Sequence, residues 1–239
     1  MHLLEGKGLT KKFGGLTAVS NVDFTVDEGE VVGLIGPNGA GKTTLFNLIS
    51  ATYTPKPGTI YFNGVNITGK KPYQICRMGI ARTFQTVKIF GNLPAIENVR
   101  VGAFFGQAGS SSSGDATTKS IELLDYVGLS SVASLPAKDL TLANQKRLEV
   151  ARALATDPKL LLLDEIMAGL NQTEVSQAME LITSIRNRGI TIIMIEHVMK
   201  AIMNVCGRII VLHHGQKIAD GTPQEVASSK KVIEVYLGE

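Results

Sequence analysis

Residues 31–49 read VVGLIGPNGAGKTTLFNLI. Within them, Gly36–Thr44 match the phosphate-loop pattern G-x-x-x-x-G-K-[ST]. The apolar run Val31–Ile35 before the loop predicts a buried strand, and Leu45–Ile49 after it predicts the apolar face of a helix. Backbone N–H groups of such a loop and of the helix N-terminus converge on one anion. The stretch therefore predicts a nucleotide phosphate site in an α/β fold.

The residue types in this loop suit phosphate binding. Glycines let the main chain approach the phosphates without a clashing Cβ. We expect Lys42 to contact the β- and γ-phosphates of a nucleotide and the Thr43 hydroxyl to hold Mg²⁺. The candidate phosphate-binding residues are Gly36, Pro37, Asn38, Gly39, Ala40, Gly41, Lys42, Thr43 and Thr44.

Other buried strands are predicted by continuous apolar runs at Leu160–Asp164, Ile190–Ile195 and Arg208–Leu212. Continuous rather than alternating apolarity indicates burial on both faces, as in a parallel sheet covered by helices. Each run is followed by a plausible helix, so the pattern favours an α/β core.

Antiparallel strands are predicted in the first ~30 residues and at Gly58–Gly64, where shorter alternating runs are separated by glycine turns. Between about Pro72 and Asp139, helical spacing dominates and predicts an inserted helical lobe. A single domain would then comprise a core with a β subdomain, 1–71 and 140–239, and a lobe, 72–139. Gly109–Gly114 is rich in serine and predicts a flexible loop.

Composition excludes several classes of protein. The chain has 239 residues, 44% of them hydrophobic, and a formal net charge of +3. This charge is too small to indicate nucleic acid as a partner, and doublets such as Lys146-Arg147 predict solvated surface. No apolar run is long enough to span a bilayer and no secretion signal is evident, so we expect a cytosolic chain. Cys76 and Cys206 are expected to be small core residues.

A second element of the nucleotide site is predicted where the apolar run Leu160–Leu163 ends in Asp164-Glu165. Ligands collect at the carboxyl ends of parallel strands, where these carboxylates would emerge. We expect Asp164 to hold Mg²⁺, through water, and Glu165 to orient or deprotonate the attacking water.

The paired Asp-Glu together with the phosphate loop resembles the nucleotide-binding subunit of an ABC transporter, and the resemblance covers essentially the whole chain. It implies ATP and Mg²⁺ as cofactors. It also implies that Gln85 is the Q-loop glutamine, which touches Mg²⁺ or the water, and that His197 is the switch histidine, which hydrogen-bonds the γ-phosphate. Residues 168–171, Ala-Gly-Leu-Asn, are similar to the D-loop at the dimer interface.

The same resemblance implies that Phe13 stacks on adenine, with Val19 beside it; the alternative is that Phe13 is a core residue. The family's signature loop corresponds to the segment beginning at Leu140, in which Thr141 keeps a hydroxyl. Ala143 replaces a glycine, and Asn144 also differs. Because alanine keeps the N–H donor, ATP binding could survive with a hydrolytically weak site, and restoring glycine at position 143 is expected to raise turnover.

Finer resemblance connects the chain with the ATPase of branched-chain amino acid importers, through residues 11–19, 79–85, 168–171 and 232–239. This implies a second ABC ATPase subunit, identical or different, integral membrane permeases, an extracytoplasmic solute-binding protein that acts indirectly, and a peripheral position on the cytoplasmic side of the membrane. Segment 87–93 would face the permease or pack within the lobe. Importers for urea or other amides and lipopolysaccharide exporters share much of the pattern.

Two further classes are weighed against a transporter subunit. Soluble ABC ATPases of translation or DNA repair usually carry two cassettes or a long coiled-coil insertion, and this sequence has neither. Switch GTPases use an Asn-Lys-x-Asp motif to read guanine, and none is found in the sequence. The sequence therefore favours the ATPase of a transporter.

Overall fold

A computed structural model describes residues 2–106 and 113–237. The predicted flexible loop at 109–114 lies mostly outside the described residues. In chain order the strands are β1 (Leu4–Phe13), β2 (Leu16–Val26), β3 (Val31–Ile35), β4 (Thr59–Phe62), β5 (Val65–Asn66), β6 (Ile80–Arg82), β7 (Leu160–Asp164), β8 (Thr191–Ile195), β9 (Arg208–His213) and β10 (Gln216–Gly221). The helices are α1 (Lys42–Ile49), α2 (Pro72–Arg77), α3 (Ala95–Phe105), α4 (Ser113–Tyr126), α5 (Leu142–Leu154), α6 (Gln172–Asn187), α7 (Met199–Val205), α8 (Pro223–Ser228) and α9 (Lys230–Leu237).

The chain divides into two compact units, and the first comprises Met1–Ile75 and Ile185–Glu239. One sheet of this unit has the order β2-β1-β4-β5 and is antiparallel throughout. The other places β3 parallel to both β8 and β9, with β10 antiparallel to β9 at its edge. The α/β class, the parallel strands and the separate antiparallel strands are confirmed.

Strands β3 and β8 are buried at every position, as their continuous apolar runs predict. The prediction of a helix directly after the run at 208–212 is wrong. β9 instead turns back into β10 through His214 and Gly215, which have φ values of 46° and 77°. Two successive positive φ angles form the tight turn that the twist of a two-stranded hairpin favours.

The two sheets of the first unit meet next to the phosphate loop. Ser20 of β2 donates its N–H to the carbonyl of Gly215 at 2.8 Å, and the N–H of Gly215 donates to the carbonyl of Ala40 at 3.0 Å. The antiparallel sheet, the β9–β10 turn and the loop are therefore joined by backbone hydrogen bonds. These bonds help to hold the loop in place.

The second unit comprises Cys76–Ser184. In it, β6 and β7 run parallel, with Ile80 opposite Leu160, and α3 packs against both α4 and α5. The helix predicted around residues 119–127 is confirmed as part of α4. Strand β6 lies in the segment that was predicted to be helical, and its short length explains why no periodicity revealed it.

None of the helices within residues 2–106 and 113–237 is both long and apolar enough to cross a membrane. Cys206 is buried, as expected, whereas Cys76 is only half-buried. Burial raises the pKa of the Cys206 thiol to about 12, and the nearby Glu196 carboxylate adds to this rise.

Candidate nucleotide-binding site

The phosphate loop connects β3 to α1 within the first unit. Gly36 and Gly41 have φ values of 150° and 102°. A Cβ on Gly36 would lie 2.1 Å from the carbonyl oxygen of Leu212, and one on Gly41 would lie 2.4 Å from that of Ala18. Both positions therefore require glycine for space as well as for conformation. The loop packs directly against the backbone at Leu212 and Ala18.

Lys42, the first residue of α1, places its ammonium inside the curve of this loop. Its Nζ donates hydrogen bonds to the carbonyl oxygens of Gly36 and Pro37, at 2.7 and 3.1 Å. The residue is buried, whereas Asn38, Gly39 and Thr43 are exposed. A buried cation inside an open loop of N–H groups is the arrangement that binds phosphate. The predicted elements of the loop therefore come together in one place.

The two residues predicted near adenine differ in exposure. Phe13 is 42% exposed at the end of β1, so the alternative that it is a core residue is wrong. Its ring lies edge-on to that of Tyr53, with the centroids 5.2 Å apart. Val19 is fully buried, and its Cγ2 lies 3.5 Å from the position a Cβ on Gly41 would take. Phe13 offers an exposed ring, while Val19 packs next to the phosphate loop at Gly41.

A tyrosine near the C-terminus also reaches the phosphate loop, which sequence reasoning missed. Burial raises the pKa of the Tyr236 phenol above its usual value, and a hydrogen bond with the backbone of Gly36 opposes this rise. Helix α9, which carries Tyr236, contacts β10 and α8. In the sequence, segment 232–239 carries a resemblance to importer ATPases but no local pattern that links it to the loop.

The predicted switch histidine lies in the first unit as well. His197 is exposed, in the bend between β8 and α7, and follows the buried Glu196. Its position past the carboxyl end of a parallel strand is the one at which α/β folds place ligand-binding groups.

The second unit carries the acidic pair at the end of β7. Asp164 is almost fully buried, and its Oδ2 lies 2.8 Å from Nη2 of Arg82 on β6. The N–H of Asp164 donates to the Thr83 hydroxyl at 3.1 Å. In the sequence, Arg82 and Thr83 are noticeable only as part of segment 79–85, which resembles importer ATPases. Their partner Asp164 is too distant along the chain for any local pattern to indicate these contacts.

Glu165 follows with φ of 51°, a left-handed conformation that is uncommon outside glycine. Nε2 of Gln85 donates to its Oε2 at 2.9 Å, so the structure brings two predicted catalytic residues together. Nζ of Lys146 donates to its backbone carbonyl at 2.8 Å. The prediction that Lys146 belongs to a solvated doublet is wrong, because this lysine is only 7% exposed. Its long apolar stem carries the ammonium to a backbone carbonyl, and the sequence alone does not reveal this contact.

The segment after Gln85 is anchored to α5. Glu149 is buried, and its Oε1 accepts a hydrogen bond from the N–H of Lys88 at 3.1 Å. Burial raises the pKa of the Glu149 carboxyl, while hydrogen bonds from the backbones of Lys88 and Phe84 and the charge of Arg152 oppose the rise. Because Phe84 and Lys88 lie on either side of Gln85, one carboxylate holds both flanks of this segment.

The signature region forms the start of α5. Thr141 is the N-cap, and its hydroxyl accepts from the N–H of Asn144 at 3.3 Å. Ala143 is largely buried at 8% exposure. Gly169 of the D-loop-like segment lies nearby, since a Cβ on it would be 3.1 Å from Leu142. Asn171 exchanges two hydrogen bonds with Glu174 and so begins α6.

The described residues thus present two groups of predicted site residues. The loop Gly36–Thr44, Phe13, Val19 and His197 belong to the first unit, and Gln85, Thr141, Ala143, Asp164 and Glu165 belong to the second. Within the second unit, Gln85 directly contacts Glu165. The first group offers phosphate-binding N–H groups and a cation, and the second offers carboxylates.

Comparisons with known proteins agree with these features. A sequence profile described as "ABC transporter" matches residues 19–168, and one described as "Branched-chain amino acid ATP-binding cassette transporter" matches residues 216–239. LivG of Salmonella typhimurium, named a high-affinity branched-chain amino acid transport ATP-binding protein, is 42% identical over 99% of this chain and 98% of its own. BraF of Pseudomonas aeruginosa, named likewise, is 40% identical over the same shares.

Solved structures are similar over most of the chain. A nucleotide-free ATP-binding cassette from an ABC transporter superposes with a TM-score of 0.90 at 30% identity and covers 100% of both chains. The dimeric post-hydrolysis state of the cassette MJ0796, bound to ADP and Pi, gives a TM-score of 0.83 at 27% identity, covering 92% of this chain and 98% of that one.

Proposed function

This chain belongs to the ABC transporter family, and we propose that it is the ATP-binding and ATP-hydrolysing subunit of an importer for branched-chain amino acids. The proposal is supported by relatives named as ATP-binding proteins of that transport, which match nearly the full chain. The match of residues 216–239 to the branched-chain amino acid profile supports the same subgroup.

The observation that carries the ATPase function is the phosphate loop with Lys42 at its centre. The ammonium lies 2.7 Å from the carbonyl oxygen of Gly36, inside a loop closed by glycines that tolerate no side chain. In this position a cation neutralises the charge that develops on a transferred phosphoryl group. We assign Gly36–Thr44 to the phosphates and Phe13, with Val19 behind the loop, to the adenine end.

Mg²⁺ fits the donors that the chain offers. A hydroxyl at Thr43, a carboxylate at Asp164 and an amide oxygen at Gln85 are the hard oxygen ligands that this ion takes, and it completes its shell with phosphate oxygens and water. Bound there, Mg²⁺ would neutralise charge on the β- and γ-phosphates. Asp164 would hold the ion through water.

Glu165 would orient or deprotonate the attacking water, and Gln85 would position the Glu165 carboxylate through their 2.9 Å hydrogen bond. His197 would hydrogen-bond the γ-phosphate. The N-terminus of α5, with Thr141 and Ala143, would meet the ATP of a second ABC ATPase subunit, identical or different. The dimeric solved cassette at 27% identity supports such an assembly.

The partners follow from the transporter function. Integral membrane permeases would hold the chain at the cytoplasmic face of the membrane, and the solute-binding protein would act on the permeases from outside. We propose that segment 87–93 faces a permease, because Phe90 and Leu93 are 48% and 41% exposed. Importers of urea or other amides and lipopolysaccharide exporters are the alternatives within the family, and a soluble ABC ATPase is the alternative outside transport.

Reconstitution tests the proposal. The chain is co-expressed with two permeases and a second ATPase of a branched-chain amino acid importer, and purified through a tagged permease. We expect co-purification and ATP-dependent uptake of leucine into proteoliposomes in the presence of the binding protein. Lys42→Ala should abolish nucleotide binding and uptake, while Lys71→Ala, which changes an exposed lysine, should not. Uptake of urea without leucine would contradict the substrate, and failure to associate with any permease would contradict transport.

A further inference from the structure

Arg82 and Asp164 form an almost fully buried ion pair between two neighbouring strands. Nη2 of Arg82 lies 2.8 Å from Oδ2 of Asp164, and the two side chains are only 8% and 3% exposed. Their strands are parallel, with Arg82 opposite Leu162, so the guanidinium extends along β7 toward its carboxyl end. This contact reaches the carboxylate to which the ATPase function assigns the metal, but it comes from a residue with no assigned role.

The segment that carries Arg82 touches the end of β7 at several successive points. The hydroxyl of Thr83 accepts a hydrogen bond from the Asp164 N–H at 3.1 Å, and the Thr83 N–H donates to the carbonyl of Leu162 at 2.9 Å. Gln85 then donates to the Glu165 carboxylate. One short stretch of chain therefore holds the backbone of Asp164 and the side chains of both acidic residues.

The geometry of the pair suits orientation of a carboxylate. A charge-assisted hydrogen bond from a planar guanidinium is strong and directional, and removal from water makes it stronger. The guanidinium carbon itself lies 5.2 Å from the centre of the Phe84 ring, which restricts its movement further. Groups of this kind, which orient a metal ligand without touching the metal, typically change metal affinity by 10- to 100-fold when removed.

We propose that Arg82 is a positioning residue that holds the Asp164 carboxylate in the direction from which it binds Mg²⁺ together with nucleotide. The inference rests on the proposed ATPase function. It adds that the stretch leading to Gln85 is mechanically linked to the metal-binding carboxylate. A displacement of this stretch would therefore change the metal site and the water-orienting Glu165 at the same time.

Metal-dependent nucleotide affinity tests the proposal without any need for turnover. The dissociation constant of mant-ADP is measured for the full chain in Mg²⁺ and in EDTA. The value in EDTA divided by the value in Mg²⁺ is the ratio that reports the contribution of the metal. Arg82→Met should lower this ratio by about 10-fold and leave the affinity in EDTA unchanged. Arg82→Lys keeps the charge with a shorter reach and should lose less of the ratio than Arg82→Met.

The matched control is Arg100→Met, because Arg100 also forms a 2.8 Å pair with a carboxylate, Glu97, on a helix of the same unit. It should leave the ratio at the wild-type value. In an Asp164→Asn background, Arg82→Met should cause no further loss, since the two residues act through one contact. This cycle separates positioning from a general loss of structure, which would add to the effect of Asp164→Asn.

An unchanged ratio in folded Arg82→Met would overturn the proposal, and so would an equal weakening in Mg²⁺ and EDTA, which would indicate a structural role only. If Arg82→Met fails to fold, Arg82→Lys is tested in its place by the same criteria. A wild-type ratio in Arg82→Lys, together with an additive loss when it is combined with Asp164→Asn, contradicts positioning. A wild-type chain that binds no mant-ADP would contradict the ATPase function itself, whereas a high ratio in both wild type and Arg82→Met contradicts only the role of Arg82.

Discussion

The ammonium of Lys146 on α5 donates a 2.8 Å hydrogen bond to the backbone carbonyl of Glu165, directly after β7. Glu165 has a φ of 51°, which costs conformational energy in a residue with a side chain and persists only where the surroundings hold it. The helix that begins at the signature segment therefore fixes the backbone of the residue assigned to orient water. This contact connects the signature segment with the acidic pair at the end of β7.

Lys146→Met should weaken that connection. Loss of a charged donor to a partly buried carbonyl costs on the order of 2 kcal/mol, which corresponds to a decrease in melting temperature of about 4–8 °C for a chain of this size. We expect ATP turnover to fall about 10-fold while nucleotide binding is retained, because Glu165 loses its fixed orientation. Thermal denaturation and single-turnover hydrolysis measure the two effects.

Arg147→Met is the matched control for this substitution, since the neighbouring basic side chain contacts Gln177 and not Glu165. It should leave turnover per folded molecule unchanged. Equal turnover in the two variants would show that the Lys146 contact does not position Glu165.

Glu165→Gln tests the catalytic assignment itself. Glutamine keeps an oxygen that can accept the hydrogen bond from Gln85 but cannot take a proton from water, so the fold and ATP binding should be retained. Turnover should fall at least about 100-fold, and ATP should trap a closed dimer that is visible by size-exclusion chromatography. Glu180→Gln changes an exposed carboxylate on α6 and serves as the control. Undiminished hydrolysis would remove Glu165 from the mechanism.

Asn98→Ala should loosen the segment proposed to face the permease. The buried Asn98 accepts from the N–H of Phe90 at 2.8 Å and donates to the carbonyls of Phe90 and Pro94, both at 3.1 Å. Leaving such groups without this partner costs about 1–3 kcal/mol, or a melting temperature lower by about 2–12 °C. Trypsin should then cleave after Lys88 faster than in the wild type.

The control is Asn92→Ala, because Asn92 is exposed and accepts one hydrogen bond, from Lys138. It should be neutral in both assays. Equal cleavage rates in wild type and Asn98→Ala would show that Asn98 is not needed to hold segment 87–93. Other contacts, such as the hydrogen bond between Lys88 and Glu149, would then be sufficient.

The sequence predicts those parts of the fold whose cause is local. Residues 31–35 and 160–163 form continuous apolar runs because both faces of their strands are buried, and this can be read without a structure. Strand β6 has only three residues and is specified by its pairing with β7, so its own sequence contains too few positions to show a period. The hairpin after β9 uses His214 and Gly215 rather than the usual Asn-Gly, which hid the turn.

The site divides in the same way. Lys42 and the glycines around it are predicted because the loop binds phosphate through neighbouring residues of one stretch. Arg82, Lys146 and Tyr236 act through partners far away in the chain, namely Asp164, Glu165 and Gly36. From charge and size alone, such residues would be assigned to the surface or to the core. Only their tertiary contacts show that they hold parts of the site.

Cys206 should be unreactive in the folded chain. It is buried, and the rise of its thiol pKa to about 12 leaves almost no thiolate at neutral or mildly alkaline pH. N-Ethylmaleimide at pH 8 should therefore modify half-buried Cys76 first, and Cys206 only after denaturation, as followed by mass spectrometry of peptides. A rise to pH 9 should not reverse this order. Equal labelling of both cysteines in the folded chain would contradict the burial.

Ala143→Gly tests whether the signature segment limits hydrolysis. Ala143 lies in the first turn of α5, after the Thr141 cap, where a helix N-terminus offers N–H groups to phosphate. We expect glycine to let this turn approach the ATP of the partner subunit more closely and to raise turnover of the assembled transporter a few-fold. Because glycine costs up to about 1 kcal/mol in a helix, the melting temperature should fall by about 2–4 °C.

Ala143→Gly is expected to raise turnover and to lower stability, so a control must separate the two effects. Since Ala143 is only 8% exposed, removal of its methyl group also loosens packing within its own unit. Ala153→Gly, at a similarly buried position near the other end of α5, destabilises the helix without touching its N-terminus and is the control. Higher turnover in Ala143→Gly but not in Ala153→Gly would locate the limit at the signature turn. Unchanged turnover of Ala143→Gly beside the wild type would show that alanine at this position does not slow hydrolysis.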